Sequence, residues 1–229
     1  MKKAEAEKAK TKNKTKNKTK IKAVIFDLDG VLIEAKEWHY ESLNKALGLL
    51  GMEISRYDHL VTYDGLPTKK KLEMLSMERG LPKDLHPFVN TIKQIYTMNM
   101  IHSLCKPVFY HQYALAKLKN EGYRLAVCSN AIRPSVEVML QKAKLLDYFE
   151  FFFSNQDVTK PKPDPQIYLK AMERLGLSPK ECLILEDNEN GIKAAIASGA
   201  YLLRIHTVQD VNYDNIKRRI KQIEEEQND

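Results

Sequence analysis

Two carboxylates two residues apart, Asp27 and Asp29, stand in the run Phe26-Asp27-Leu28-Asp29-Gly30, directly after an apolar stretch over residues 21–25. Such a stretch reads as a buried strand of a parallel sheet. The pair therefore lies where a strand ends and the backbone turns at a glycine. Alternation along the extended chain sends both side chains to the same side. Paired carboxylates at the carboxyl end of a parallel strand suit a metal-assisted nucleophile with an acid/base partner.

Three further places carry polar residues abruptly after apolar runs: Cys128-Ser129-Asn130, the run Lys160-Pro161-Lys162-Pro163, and Leu185-Glu186-Asp187. Asp27, Glu186 and Asp187 are hard oxygen ligands suited to Mg²⁺. Ser129, the backbone near it and Lys160 can hold the anionic oxygens of a phosphoryl group. Asp29 is then free to exchange protons with a leaving group and with water. An aspartate that attacks phosphorus forms an aspartyl-phosphate. Taken singly, each set also has a structural reading: turn caps at Asp27 and Asp29, turn residues at Ser129 and Asn130, a surface lysine at Lys160, a helix start at Glu186-Asp187. Their joint occurrence at four strand ends favours the chemical reading.

The elements that must position these groups follow an interrupted α/β pattern. Strands are predicted over 21–26, 123–128, 149–153, 182–185 and 201–205. Helices are predicted over 108–120, 134–144, 165–175, 191–197 and 213–227. A stretch over 34–106 has helical periodicity and almost no strand signal, with Trp38, Leu43, Ala46, Leu47 and Leu50 on one face. The fold class expected is α/β: a Rossmann-like parallel sheet with helices on both faces and an inserted α-helical cap. The domain reading is a Lys-rich tail over 1–20, an α/β core over 21–33 and 107–229, and a helical cap over 34–106.

Composition narrows the class. The chain has 229 residues and a formal charge of +7. Residues 1–20 hold nine lysines against two glutamates, which accounts for the whole excess, so the rest is neutral. Nucleic acid is therefore not an expected partner, except nonspecifically through the tail. The tail has no apolar residue to bury over 11–20 and is expected to be disordered. No apolar run is long enough to span a membrane, and the first twenty residues lack the apolar centre of a secretory signal. Cys105, Cys128 and Cys182 are odd in number, widely spaced and without metal-ligand spacing. They read as buried free thiols of a reducing compartment, hence a cytoplasmic protein. A monomer is expected.

The four motifs together resemble the haloacid dehalogenase superfamily of phosphotransferases, in the subgroup with a helical cap after the first strand. The resemblance covers about residues 22–208. It rests on Phe26-Asp27-Leu28-Asp29-Gly30-Val31-Leu32, on Ser129-Asn130, on the run from Lys160 to Pro165, and on Glu186-Asp187-Asn188-Glu189-Asn190-Gly191 with Ala194-Ala195. It implies Asp27 as nucleophile and Asp29 as general acid/base. It implies Mg²⁺ held by Asp27, the Asp29 carbonyl and Asp187, with Glu186 in or beside the shell. Ser129 and Lys160 would hold the phosphoryl group, and Asn130 would border the site. In the cap, Thr68 and Lys69 are the candidates to touch substrate; a solvated helix face over 69–71 is the competing reading. His39 falls where similar proteins carry a histidine near the cap hinge, in a catalytic or a structural role. Arg133 faces an anionic substrate or solvent.

The activity expected is a Mg²⁺-dependent phosphatase of a small phosphorylated metabolite, a sugar or polyol phosphate. A β-phosphoglucomutase-like sugar-phosphate mutase is the alternative, weakened because Thr68 stands where a mutase's cap arginine belongs. A polyanion-binding protein with a basic tail and a secondary enzyme domain is the third reading.

Overall fold

A computed structural model of the chain describes residues 20–226. The expected tail lies almost wholly outside the described residues. Five strands form one sheet: β1 (Ala23–Phe26), β2 (Arg124–Cys128), β3 (Phe151–Phe153), β4 (Cys182–Glu186) and β5 (Tyr201–Arg204). All pairings are parallel and the order is β3-β2-β1-β4-β5. The strand order reverses at β1, which is where a crevice opens above the carboxyl ends of an open α/β sheet. The expected fold class is the one observed.

The central strands are buried on both faces, as their unbroken apolar composition requires. Val24 and Phe26 of β1, Leu125 and Val127 of β2, and Leu183 and Leu185 of β4 join one core. α5 (Phe109–Asn120), α6 (Arg133–Lys142) and α9 (Tyr213–Glu226) add Leu115, Val136 and Ile216 to it. Ala23, Ile25, Ala126 and Ile184 point the other way, onto α7 (Gln166–Leu175) and α8 (Glu189–Ala197). Cys105, Cys128 and Cys182 are all buried and free.

Between β1 and α5 the chain runs through helices only. These are α1 (Lys36–Gly48), α2 (Arg56–Asp58) continuing into a π-helical turn at His59–Tyr63, α3 (Thr68–Arg79), a 3-10 turn at Lys83–Leu85, and α4 (His86–Leu104). They bury a separate cluster that includes Leu43, Leu47, Tyr63, Leu72, Leu75 and Val89. α4 also reaches the main core through Ile101, which ties the helical block to the sheet. The π-helical turn had no periodicity to announce it. Among the described residues, no helix is long and apolar enough to cross a membrane.

Candidate active site

β1 delivers the two carboxylates. The Asp27 N–H donates to the Leu185 carbonyl at 3.0 Å, which carries the sheet ladder one residue past the strand. The chain then turns at Gly30, whose N–H donates to Ile33 at 2.7 Å. Gly30 has φ +88°, and a Cβ there would lie 2.2 Å from Asp187 Oδ2. Backbone conformation and space both demand glycine. Asp27 and Asp29 open into one cavity of about 500 Å³ between the sheet and the helical block.

A buried lysine organises the floor, and it is Lys162. Its Nζ donates to Asp27 Oδ1 and to Glu186 Oε1, each at 2.6 Å, and to the Cys128 carbonyl at 2.8 Å. The Tyr168 hydroxyl donates to the same Glu186 oxygen at 2.6 Å. The flanking carboxylates hold the Lys162 ammonium above its ordinary pKa, outweighing the opposing effect of burial.

Lys160, expected from the sequence to do this, does not reach the site. It is exposed, and its backbone N–H donates to Gln166 Oε1 at 2.8 Å. The correction has a physical cause in Asn130. Its Oδ1 accepts the Lys162 N–H at 3.1 Å and its Nδ2 donates to the Lys162 carbonyl at 3.3 Å. This two-sided clamp fixes the Lys162 backbone beside the end of β2. Two lysines sit in the run from Lys160 to Pro163, and only the buried acceptors around one of them distinguish it.

Ser129 is buried at the end of β2, with its Oγ accepting the Ala131 N–H at 3.0 Å. Ser129 and Asn130 both line the cavity. So do Thr68 and Lys69, at the start of α3. Lys69 and Lys70 are exposed, but Lys71 is buried beside Leu72 and Leu75, so the solvated-face reading holds for only part of the run. His39 also lines the cavity, its Nε2 3.2 Å from Asp29 Oδ1. Arg133 turns away: it pairs with Asp157 at 2.6 Å and lies over the Phe152 ring.

Burial pushes the Asp27 carboxyl well above its ordinary pKa, and repulsion from Glu186 adds to this against the pull of Lys162. Burial would raise Asp29 as well, but His39, Lys93 and Lys162 outweigh it and hold Asp29 below the usual value. Asp187 is pushed up to about 6 by burial, against the pull of Lys36, whose Nζ lies 2.5 Å from Asp187 Oδ2.

The residues present fit a divalent cation. Asp27, Glu186 and Asp187 each bring a carboxylate oxygen within 4.8 Å of the others. Asp187 Oδ1 is buried and has no hydrogen-bond partner among the described residues. Gly191 leaves room for Glu186, where a Cβ would come within 1.8 Å of Oε1. Crowded carboxylates are what a hard cation with oxygen preference would hold.

Residues 24–205 match the family described as haloacid dehalogenase-like hydrolase. The chain belongs to this family. Within the haloacid dehalogenase-like hydrolases it is 30% identical over 179 residues to a phosphoglycolate phosphatase of Aquifex aeolicus, covering 78% of this chain and 82% of that one. It is 26% identical over 192 residues to a phosphorylated carbohydrates phosphatase of Thermotoga maritima, covering 83% and 88%. Among solved structures, a mutant of CbbY from Rhodobacter sphaeroides in complex with xylulose-(1,5)bisphosphate superposes with a TM-score of 0.69 at 27% identity, over 80% of this chain and 84% of that one. The protein is a hydrolase of the haloacid dehalogenase-like family.

Sequence reasoning missed Lys36, His59, Lys93 and Tyr168, and mistook Lys160 for Lys162. The missed residues lie on helices or turns whose inward faces are settled by packing.

Proposed function

We propose that the protein is a Mg²⁺-dependent phosphatase that hydrolyses a small phosphorylated metabolite through an aspartyl-phosphate on Asp27. One observation carries this reading: three carboxylates and a buried lysine converge beside Asp29 at the carboxyl end of β1, beneath the helical block.

Asp27, Glu186 and Asp187 would hold Mg²⁺, together with the Asp29 carbonyl. Bound there, the ion would neutralise phosphoryl charge and favour the ionised form of Asp27. Asp27 attacks phosphorus, a P–O bond to the carboxylate forms, and the bond to the leaving oxygen breaks. Asp29 gives that oxygen a proton. In the second half Asp29 takes a proton from water as the water oxygen bonds phosphorus and the Asp27 carboxylate leaves. His39, beside Asp29, is the group through which a proton reaches it. Lys162 and Ser129 hold phosphoryl oxygens, while Asn130 serves by fixing Lys162.

The helices over 34–106 act as the cap that closes over substrate and excludes water. Asn188 Nδ2 donates to Asp64 Oδ2 at 3.2 Å, joining the loop after β4 to the loop before α3, and so supports a closed arrangement. Buried free thiols suit the cytoplasmic location proposed with this activity.

The test is phosphate release from a panel of phosphomonoesters with Mg²⁺. Release is expected from wild type and not from Asp27→Asn. Undiminished release from pure Asp27→Asn protein would overturn the assigned nucleophile. Sugar-phosphate isomers formed without net phosphate release would replace phosphatase by mutase.

A further inference from the structure

The proposed chemistry uses the floor of the cavity. Its helical wall carries two ammonium groups that this chemistry leaves without a counter-charge. Lys71 on α3 and Lys93 on α4 are each only 7% exposed, and both line the same cavity as Asp27 and Asp29. Among the described residues, no carboxylate lies within ion-pair distance of either ammonium. Lys71 Nζ makes no hydrogen bond there, and Lys93 Nζ approaches only His39 Nδ1, at 3.4 Å.

Lysines are rarely buried unless paired, because desolvating an ammonium is costly. Here burial holds both amines down to about 8, and Lys71 and Lys93 also repel. Asp64 and Asp29 exert an attraction on them without closing an ion pair. Beside Lys71, His59 is 4% exposed, and its Nδ1 is buried with no partner among the described residues. It lines the cavity as well. Two unpaired cations and one unpartnered ring nitrogen in the wall of a ligand-sized cavity form a site built for an anion.

We infer that Lys71, Lys93 and His59 form a second anion subsite, and that the substrate is a phosphomonoester carrying a further anionic group, carboxylate or phosphate, at its far end. This rests on the phosphatase reading for the reaction but not for the binding. The phosphoryl group to be transferred sits at Asp27, and the second anion supplies the counter-charge that the wall lacks. A substrate with an uncharged tail leaves the two ammonium groups desolvated and unpaired, which penalises it.

Two measurements test this. The first is kcat/KM for 2-phosphoglycolate (carboxylate tail), fructose 1,6-bisphosphate (phosphate tail) and glycerol 3-phosphate (uncharged tail). Wild type should prefer at least one anionic-tailed compound over glycerol 3-phosphate by about 10-fold or more, and the better of the two identifies the anion. In Lys71→Met that preference should fall about 10- to 100-fold, as expected for a lost charge-assisted contact, and Lys71→Arg should restore part of it. A preference unchanged in folded Lys71→Met, or equal turnover of all three compounds by wild type, would overturn the subsite.

The second is calorimetric binding of 2-phosphoglycolate, fructose 1,6-bisphosphate and glycerol 3-phosphate to Asp27→Asn protein. Tighter binding of an anionic-tailed compound, weakened by adding Lys93→Met, supports the subsite even if no compound is turned over. That pattern without turnover would sink the phosphatase reading alone. Equal binding of all three compounds would sink the subsite alone.

Discussion

Lys162 Nζ lies 2.6 Å from Asp27 Oδ1 and the same distance from Glu186 Oε1, so one buried cation holds two carboxylates that would otherwise repel. Removing it leaves both acids buried without that counter-charge. Lys162→Met should lower kcat by about 100-fold or more, as expected for a lost electrostatic stabiliser. It should also destabilise the fold by about 3–5 kcal/mol, the range for breaking a buried pair. Lys160→Met should stay within about 0.5 kcal/mol of wild type, as an exposed substitution does, and keep most activity. Phosphate release and thermal unfolding on the two variants decide the assignment, and equal losses would contradict it.

Asn130 acts on the site through Lys162. Asn130→Ala removes both bonds of the clamp and should cost on the order of 1–3 kcal/mol, since two backbone groups lose their partners. kcat should fall more than KM rises. Asn130→Asp keeps the acceptor for the Lys162 N–H and should recover part of kcat. Steady-state kinetics on both variants separate this positioning role from direct substrate contact, which would raise KM first.

His39 stands 3.2 Å from Asp29 Oδ1 and 3.4 Å from Lys93 Nζ. If it brings protons to Asp29, its loss hurts substrates whose leaving oxygen needs a proton. His39→Asn should slow release from an alkyl phosphate about 100-fold and affect p-nitrophenyl phosphate much less. Parallel slowing of both would make His39 structural.

Lys71 also predicts a pH dependence of stability. Its amine is held down to about 8 by burial, against an ordinary 10.5. Between those values the unfolded chain binds more protons at this residue than the folded one, so this residue's contribution makes stability rise with pH. At pH 7 the full penalty applies, on the order of 3 kcal/mol. Lys71→Met should therefore be more stable than wild type at pH 7, with the gap closing towards pH 10.5. Denaturant unfolding across that range checks the sign.

A Cβ at residue 191 would lie 1.8 Å from Glu186 Oε1 and displace it. Gly191→Ala should weaken Mg²⁺ binding about 10-fold or more, the size expected when a ligand's support is lost. Calorimetric titration with Mg²⁺ reads this without substrate.

The apolar runs and their spacing determined the sheet and its helices, because strands buried on both faces must be apolar throughout and helices between them must return the chain. They also placed Asp27, Asp29, Ser129, Glu186 and Asp187 at strand ends, since a strand's exit is local in sequence and its carboxyl end opens on the crevice. Tertiary structure decided which lysine of two enters the site. Lys160 and Lys162 are the same residue type two positions apart, and only the Asn130 clamp and the Asp27, Glu186 and Cys128 carbonyl acceptors, distant in sequence, draw one of them inward. It likewise decided that Lys71, in a run of three lysines, is buried in the cavity wall while Lys69 and Lys70 stay exposed. A helix turns about 100° per residue, and which third of it is covered depends on what packs against it.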